Sequence, residues 1–186
     1  MIWDNNEDIR VEHCDGSRRG IQQVLDACRE ERRPYVVIKD NCSAQQSYCS
    51  EVQNGSTLSS ILVPVTMLEE EVYKAEICTY LARKTGAHLI LLRANDYGSK
   101  AIKNTQRIIT HIRTIAERTG EPITYEERIA KGDSFHIHKE LPVLSSTLQG
   151  GDRGRLLILL TASREYGLDD WLFGPPEQYV IRHSQV

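Results

Sequence analysis

Residues 59–94 read SSILVPVTMLEEEVYKAEICTYLARKTGAHLILLRA, and this stretch decides the fold class. Apolar segments at 60–65 and 88–94 each predict a buried strand. Between them lies a stripe of apolar residues at helical steps, ending at Gly86, where a helix C-cap belongs. The stripe consists of Leu68, Val72, Ala75, Cys78 and Ala82. Two apolar strands joined by a helix predict a parallel β-α-β unit, because parallel strands need a crossover connection.

The same alternation continues towards the C-terminus. A second helix is predicted over 102–120, followed by strands at 123–129 and 155–162. The second helix ends at Gly120 and has one apolar side, formed by Ile108, Ile109, Ile112 and Ile115. The order predicts an α/β fold: an open parallel sheet with helices on both faces.

The stretch between the last two strands is harder to assign. Its residues Phe135, His138, Leu141, Leu144 and Leu148 keep a helical step. Proline in a helix interior costs about 3 kcal/mol. A break or kink is therefore expected at Pro142.

Composition divides the chain into three parts. Residues 1–40 predict a short helix followed by a strand, and residues 41–57 form a linker rich in Ser, Gln, Asn and Gly. Residues 58–186 are the main domain, with one core. A linker of this composition places the domain boundary at 41–57.

Charge and cysteine content exclude several classes of protein. The net charge of −3 gives no electrostatic reason to expect a nucleic-acid partner. No apolar run is long enough for a membrane span or a leader, so a cytoplasmic protein is expected. The five cysteines are irregularly spaced without Cys-x-x-Cys, which predicts reduced thiols and no zinc site.

The C-terminal stretch 156–184, LLILLTASREYGLDDWLFGPPEQYVIRHS, resembles the last strand, binding loop and last helix of universal stress proteins. With the opening strand and the β-α order, the resemblance covers 59–186. It implies a Rossmann-like, adenine nucleotide alpha hydrolase-like fold and a stress-response role. Universal stress proteins usually have a fifth strand directly after this helix, whereas the sequence here stops at Val186. We therefore expect a sheet that lacks its C-terminal edge strand.

ATP-binding members of that family carry Gly-x2-Gly-x9-Gly-Ser/Thr in this loop. The matching positions here hold Thr161, Arg164, Gly174 and Pro175, so only one glycine agrees. The family's nucleotide binders also have an aspartate directly after the first strand, where this chain has Thr66. The ATP-binding motif is therefore degenerate: the loop departs at three of its four positions, and Thr66 is a fourth departure outside the loop.

These departures weaken a phosphate site physically. The Cβ atoms of Thr161 and Arg164 hinder positive φ and the close approach of backbone N–H groups, and Pro175 has no N–H to donate. Several acids surround the same loop: Glu165, Asp169, Asp170 and Glu177. We therefore expect no ATP binding, no cofactor and no enzymatic activity.

One alternative stays open for the binding loop. The guanidinium of Arg164 has the geometry of a phosphate ligand and can replace backbone donors. The protein would then bind ATP or AMP through Thr66, Thr161, Arg164 and Gly174.

Two further groups of polar residues are candidates with simpler explanations. Asp96, Tyr97, Ser99 and Lys100 follow the second strand and either line a pocket at the carboxyl edge or form a turn in which Ser99 caps the next helix. The pair His136 and His138 does not share a helix face and has no acidic or Cys companions in a metal pattern, so no metal site is predicted. His111 borders an apolar stripe and is expected at its boundary.

The expected partner is another domain of the same kind. Universal stress proteins commonly pair through the fifth strand, which implies a homodimer or a tandem-domain pair associating through the sheet edge. Residues 34–40 offer two hypotheses. In the first, they are the tail of a preceding domain of the same type. In the second, Tyr35 to Lys39 occupies the sheet edge left by the missing fifth strand, either within one chain or exchanged between two chains.

Overall fold

The computed structural model describes residues 58–149, 155–160 and 176–184. All of them belong to the second of the two units into which the chain divides, Val36–Val186. The strands are β1 (Leu58–Val65), β2 (His88–Arg93), β3 (Tyr125–Ile129) and β4 (Arg155–Ile158). The α-helices are α1 (Lys74–Thr85), α2 (Lys100–Thr119), α3 (Leu141–Gln149) and α4 (Pro176–His183), and two 3-10 helices span Glu69–Tyr73 and Ile137–Lys139.

The strands form one parallel sheet in the order β3-β2-β1-β4. In the centre, Ile61 of β1 lies opposite Leu89 of β2 on one side and Leu157 of β4 on the other. The predicted parallel β-α-β arrangement is confirmed. The middle strands are apolar on both sides because helices cover both faces of the sheet.

Alternation along β1 divides the core into two layers. Ile61, Val63 and Val65 pack towards α1 and α2, whereas Leu62 packs towards the layer that includes α3 and α4. The first layer includes Cys78, Ala82, Ile108, Ile109 and Ile112, and the second includes Ile90, Leu92, Ile137, Leu141 and Val180. The predicted helices on both faces are therefore confirmed.

Glycines end α1 and α2 as the sequence predicts. Gly86 and Gly120 adopt φ of 73° and 69°, the left-handed region that glycine tolerates best. Their N–H groups bond to the carbonyls of Ala82 and Ala116, which satisfies the last turn of each helix.

The first predicted helix begins later than its apolar stripe suggested. Residues 69–73 form a 3-10 turn, and Leu68, predicted to lie in the stripe, is 39% exposed. The 3-10 turn buries Glu71 and places its carboxylate within hydrogen-bonding distance of Thr66 and Lys74. The stripe from Ala75 onwards is confirmed as core.

A break occurs at the predicted proline. The 3-10 helix ends just before α3, so Pro142 lies in the first turn of α3, where its missing N–H has no intrahelical partner to lose. The prediction that Phe135 lies on the apolar side is wrong, because this residue is 69% exposed. Ile137 is buried there instead. Leu141, Leu144 and Leu148 pack inward as predicted.

Some predictions lie outside the described residues. These are the N-terminal segment 1–40, the linker 41–57 and the strand Tyr35 to Lys39. Within the described ranges, the helices are too short or too polar for a bilayer crossing.

Candidate functional site

The carboxyl ends of the parallel strands meet at one edge of the sheet. From β1 the chain moves outward to β2 and β3 on one side, and β4 joins β1 on the other side. In open α/β folds, ligands bind in the crevice where the strand order changes direction in this way. Thr66, the first residue after β1, lies at this point.

Thr66 is buried, and both its hydroxyl and its carbonyl have hydrogen-bond partners in the chain. Its hydroxyl donates to Glu71 Oε1 at 2.7 Å and accepts a longer bond of 3.4 Å from the N–H of Leu68. The side-chain amide of Asn104 in α2 donates to the carbonyls of Thr66 and Leu68 at 2.9 and 2.8 Å. The single hydroxyl proton of Thr66 is thus already used.

An ion pair lies beneath this turn. Glu71 and Lys74 are only 1% and 2% exposed, and Lys74 Nζ lies 2.6 Å from Glu71 Oε2. The same ammonium group donates to the carbonyl of Pro64, near the end of β1. Buried charges need partners of this kind, because desolvation costs several kcal/mol per ion. The pair fixes the 3-10 turn against the end of the central strand.

A second network joins the loops after β1, β2 and β3. The carboxylate of Asp96 accepts bonds from the N–H and the hydroxyl of Ser134, and the Ser134 hydroxyl accepts a 2.8 Å bond from the N–H of Met67. In addition, the N–H of Asn95 donates to the carbonyl of Gly132. Three successive strand ends are therefore held together by hydrogen bonds within the chain.

A third carboxylate closes the loop after β3. Glu140 accepts bonds from the N–H groups of Lys131, at 3.0 Å, and Gly132. A Cβ atom on Gly132 would lie 3.1 Å from both Glu140 Oε1 and the Cβ of His136, so glycine permits the close approach. Two adjacent backbone donors, which elsewhere form anion sites, are here occupied by the protein's own carboxylate.

The described residues give little support to nucleophilic or metal chemistry at this edge. Burial raises the pKa of the Cys78 thiol to about 12, so this cysteine is an inert core residue. A hydrogen bond with the side chain of His136 lowers the pKa of the Asp133 carboxyl, which also accepts bonds from the N–H groups of Phe135 and His136. The parts of the chain that the structure describes contain no group of three or more His, Cys, Asp or Glu residues that could hold a metal ion.

Comparison with known proteins gives a match in structure but none in sequence. No family model matches the chain, and no curated protein matches it in sequence. A solved universal stress protein, crystallised in complex with cAMP, superposes with a TM-score of 0.47 and 15% identity, covering 70% of this chain and 94% of that one. The strand order and the two helical layers of this chain define its α/β fold without reference to that protein.

Of the residues predicted to bind a nucleotide, only Thr66 lies in the described part of the chain. It is at the predicted place but faces inward, bonded to Glu71. Thr161, Arg164 and Gly174 lie outside the described residues. Glu177 is buried in the first turn of α4, where an acid complements the helix dipole.

The loop after β2 matches neither of its two explanations in full. Tyr97, Ser99 and Lys100 are exposed, whereas Asp96 bonds to Ser134. Ser99 occupies the N-cap position of α2 as predicted, but its side chain makes no capping bond. His111 is half-buried at the side of α2, as expected.

Sequence reasoning missed Glu71, Lys74, Asn104, Ser134 and Glu140. In the sequence EEEVYK, the charged residues have the appearance of an exposed helix face. The i, i+3 spacing of Glu71 and Lys74 was the available signal, but such pairs are common on solvated helices. Asn104 was detectable as a polar residue three positions from Ala101 and four from Ile108, within the buried stripe of α2.

Proposed function

We propose that this protein is a universal stress protein-like module of the cytoplasm that acts in a stress response through association. In this proposal it is not an enzyme, holds no cofactor and binds ATP poorly or not at all. The family assignment is supported by the sequence resemblance over 59–186 and by a parallel sheet whose central strand ends at the candidate site.

The observation that carries the proposal is that Thr66 is buried and hydrogen-bonded to Glu71. The family's nucleotide binders present a carboxylate at this position, ready to accept bonds from ribose hydroxyls. Here the side chain has no carboxylate, is 9% exposed, and donates its proton to Glu71. A ribose would have to displace a buried hydrogen bond, which leaves a desolvated polar atom without a partner.

Charge at the same edge also disfavours a polyphosphate. Asp96 and Glu140 are half-buried carboxylates, each of which accepts two hydrogen bonds from neighbouring loops. The backbone donors at Lys131 and Gly132 are therefore unavailable to a phosphate. The sequence adds Glu165, Asp169 and Asp170 to the loop after β4.

Titration with magnesium and ATP tests the negative half of the proposal. The purified chain is expected to give no saturable heat up to about 1 mM ATP, a limit that corresponds to roughly −4 kcal/mol of binding. Isothermal titration calorimetry at moderate salt makes the measurement.

The same titration with Arg164→Ala identifies the competing function. Micromolar binding by the parent chain that is lost in the variant would mean that Arg164 replaces the missing glycines. The protein would then be a nucleotide-binding stress protein, and the first proposal would be wrong.

The outer edge of β4 supports the positive half, association. The N–H of Leu159 donates to the carbonyl of Leu62 in β1 at 2.9 Å. Because backbone groups alternate in direction along a strand, the N–H and C=O groups of Ile158 and Leu160 point away from β1. Among the described residues, no strand pairs with this edge of the sheet. An edge of this kind can pair with another chain or another domain.

Proline at position 158 tests whether association uses this edge. Ile158→Pro removes an outward-facing N–H and is expected to make the chain monomeric, because proline cannot donate to a new ladder. Ile158→Ala loses similar core packing but keeps the N–H, so it is expected to remain associated. Sedimentation equilibrium at several concentrations measures the dissociation constant of each chain.

The two variants separate pairing from stability. Circular dichroism confirms that each variant keeps its fold before sedimentation. Equal dissociation constants for Ile158→Pro and Ile158→Ala would show that association, if present, uses another surface. If the parent chain is monomeric at all concentrations, homodimer formation is excluded and pairing with a separate domain of the same kind remains. Capture of that domain by the parent chain and the same two variants tests this pairing.

A further inference from the structure

Helix α2 carries a row of cations along its exposed side. Lys100, Lys103, Arg107 and Arg118 are exposed, and the half-buried His111 lies between them. At 3.6 residues per turn these positions follow one another at helical steps, and at 1.5 Å per residue the row is about 27 Å long. We call these four residues the α2 basic row.

The α2 basic row is not compensated within the described part of the chain. None of its four residues forms an ion pair with another described residue. The one acidic residue of α2, Glu117, lies about 100° around the helix from Arg118, off the row. This differs from an ordinary solvated helix, in which acids and bases alternate at i, i+4.

The position of the row within α2 is also electrostatically unfavourable. Lys100 and Lys103 lie in the first turn, at the positive end of the helix dipole, where α2 has no acidic residue. Lys103 and Arg107, four positions apart, repel each other as like charges. The chain as a whole carries a net charge of −3, so this helix concentrates positive charge in an acidic protein.

We propose that the α2 basic row binds an acidic segment of a partner protein, a stretch rich in Asp and Glu. The occupant is inferred from charge complementarity, because four exposed ammonium and guanidinium groups in a line match carboxylates repeated along a peptide. The surface is separate from the edge of β4, since α2 packs over β1 and β2. The inference therefore holds or fails independently of the proposed association.

Two other polyanions fit the row less well. Nucleic acid binding to single strands uses aromatic side chains as stacking platforms, and α2 contains no Phe, Tyr or Trp. A membrane-surface helix needs apolar side chains exposed beside its cations. Ile102 is the exposed large apolar residue of α2, and it lies towards β3, the side on which Arg113 bonds to Tyr125.

Binding of polyglutamate tests the proposal with the full chain. The probe is a fluorescent polyglutamate of about 20 residues, long enough to follow the row whether helical or extended. We expect saturable binding that weakens at least about tenfold between about 50 and 300 mM salt, because the contacts are exposed charges. Lys103→Glu/Arg107→Glu is expected to lose at least about tenfold in affinity at low salt.

A matched double variant controls for net charge. Lys139→Glu/Arg182→Glu also reverses two exposed cations, so both variants carry −7 instead of −3, but these residues lie in the layer of α3 and α4. It is expected to keep most of the parent affinity. Circular dichroism and thermal unfolding confirm that both variants are folded.

Three outcomes would overturn the proposal. The first is equal loss of polyglutamate binding in the two double variants, which would mean that total charge and not the row governs binding. The second is tighter binding to a duplex DNA of about 20 base pairs or to phosphatidylserine vesicles than to polyglutamate. The third is no binding of polyglutamate by the parent chain at low salt.

Discussion

Replacing Lys74 with methionine is expected to lower the free energy of unfolding by about 3 to 5 kcal/mol, the cost of leaving a buried charge without its partner. Lys74 and Glu71 are almost fully buried, and Lys74 also satisfies the carbonyl of Pro64. Methionine fills a similar volume, so the loss would arise chiefly from electrostatics and hydrogen bonding rather than from a cavity. Urea unfolding followed by far-UV circular dichroism measures it.

Two further variants show that burial is the cause. Arg83→Met breaks the exposed pair with Glu121 and is expected to cost about 1 kcal/mol or less. Glu71→Leu/Lys74→Met removes both buried charges together and is expected to recover at least about 2 kcal/mol of the loss, because no unpaired ion remains. If Lys74→Met costs no more than Arg83→Met, the ion pair is not buried in solution and Thr66 is not held as described.

The strands and helix ends could be predicted because they follow from local rules. A short continuous apolar run such as 61–65 is typical of a strand buried on both faces, and Gly86 and Gly120 adopt the left-handed conformation that ends a helix. At these positions the local sequence pattern and the tertiary packing favour the same structure. The sequence pattern was therefore sufficient.

The candidate site could not be predicted in the same way, because its contacts join residues far apart in the chain. Asp96 bonds to Ser134 across 38 positions, and Asn104 bonds to the carbonyl of Thr66 across the same distance. No local pattern contains such pairs. Glu71 and Lys74 are close in sequence, yet their burial depends on the 3-10 turn, which replaced the first turn of the predicted helix.

Thr66 lies beside a buried carboxylate that its place in the sequence does not reveal. In the sequence, Thr66 stands where the nucleotide-binding universal stress proteins, which this part of the chain resembles, have an aspartate. In the structure a carboxylate is present beside it, that of Glu71, but the carboxylate is bound by Lys74 and faces the interior. An acid therefore lies near the end of β1, and its carboxylate is bound by other residues of the chain.

Replacing Ile108 with alanine is expected to lower the free energy of unfolding by about 2 to 5 kcal/mol, the cost of a large-to-small change in a packed core. Ile108 lies on the buried side of α2 and is 0% exposed, whereas Ile102 on the same helix is 43% exposed. Ile102→Ala makes the same chemical change with the same gain in helix propensity, and it is expected to cost less than about 1 kcal/mol. Urea unfolding of the two variants isolates the contribution of burial.

The comparison also tests the rotation of α2 about its own axis. The side chain of Ile108 faces the sheet, and the same rotation turns Lys103 and Arg107 towards solvent. Equal losses in Ile108→Ala and Ile102→Ala would mean that α2 is rotated from the orientation described. The α2 basic row would then lose its geometric basis, whereas the ion pair of Glu71 and Lys74 would not, because it depends on the 3-10 turn and on β1.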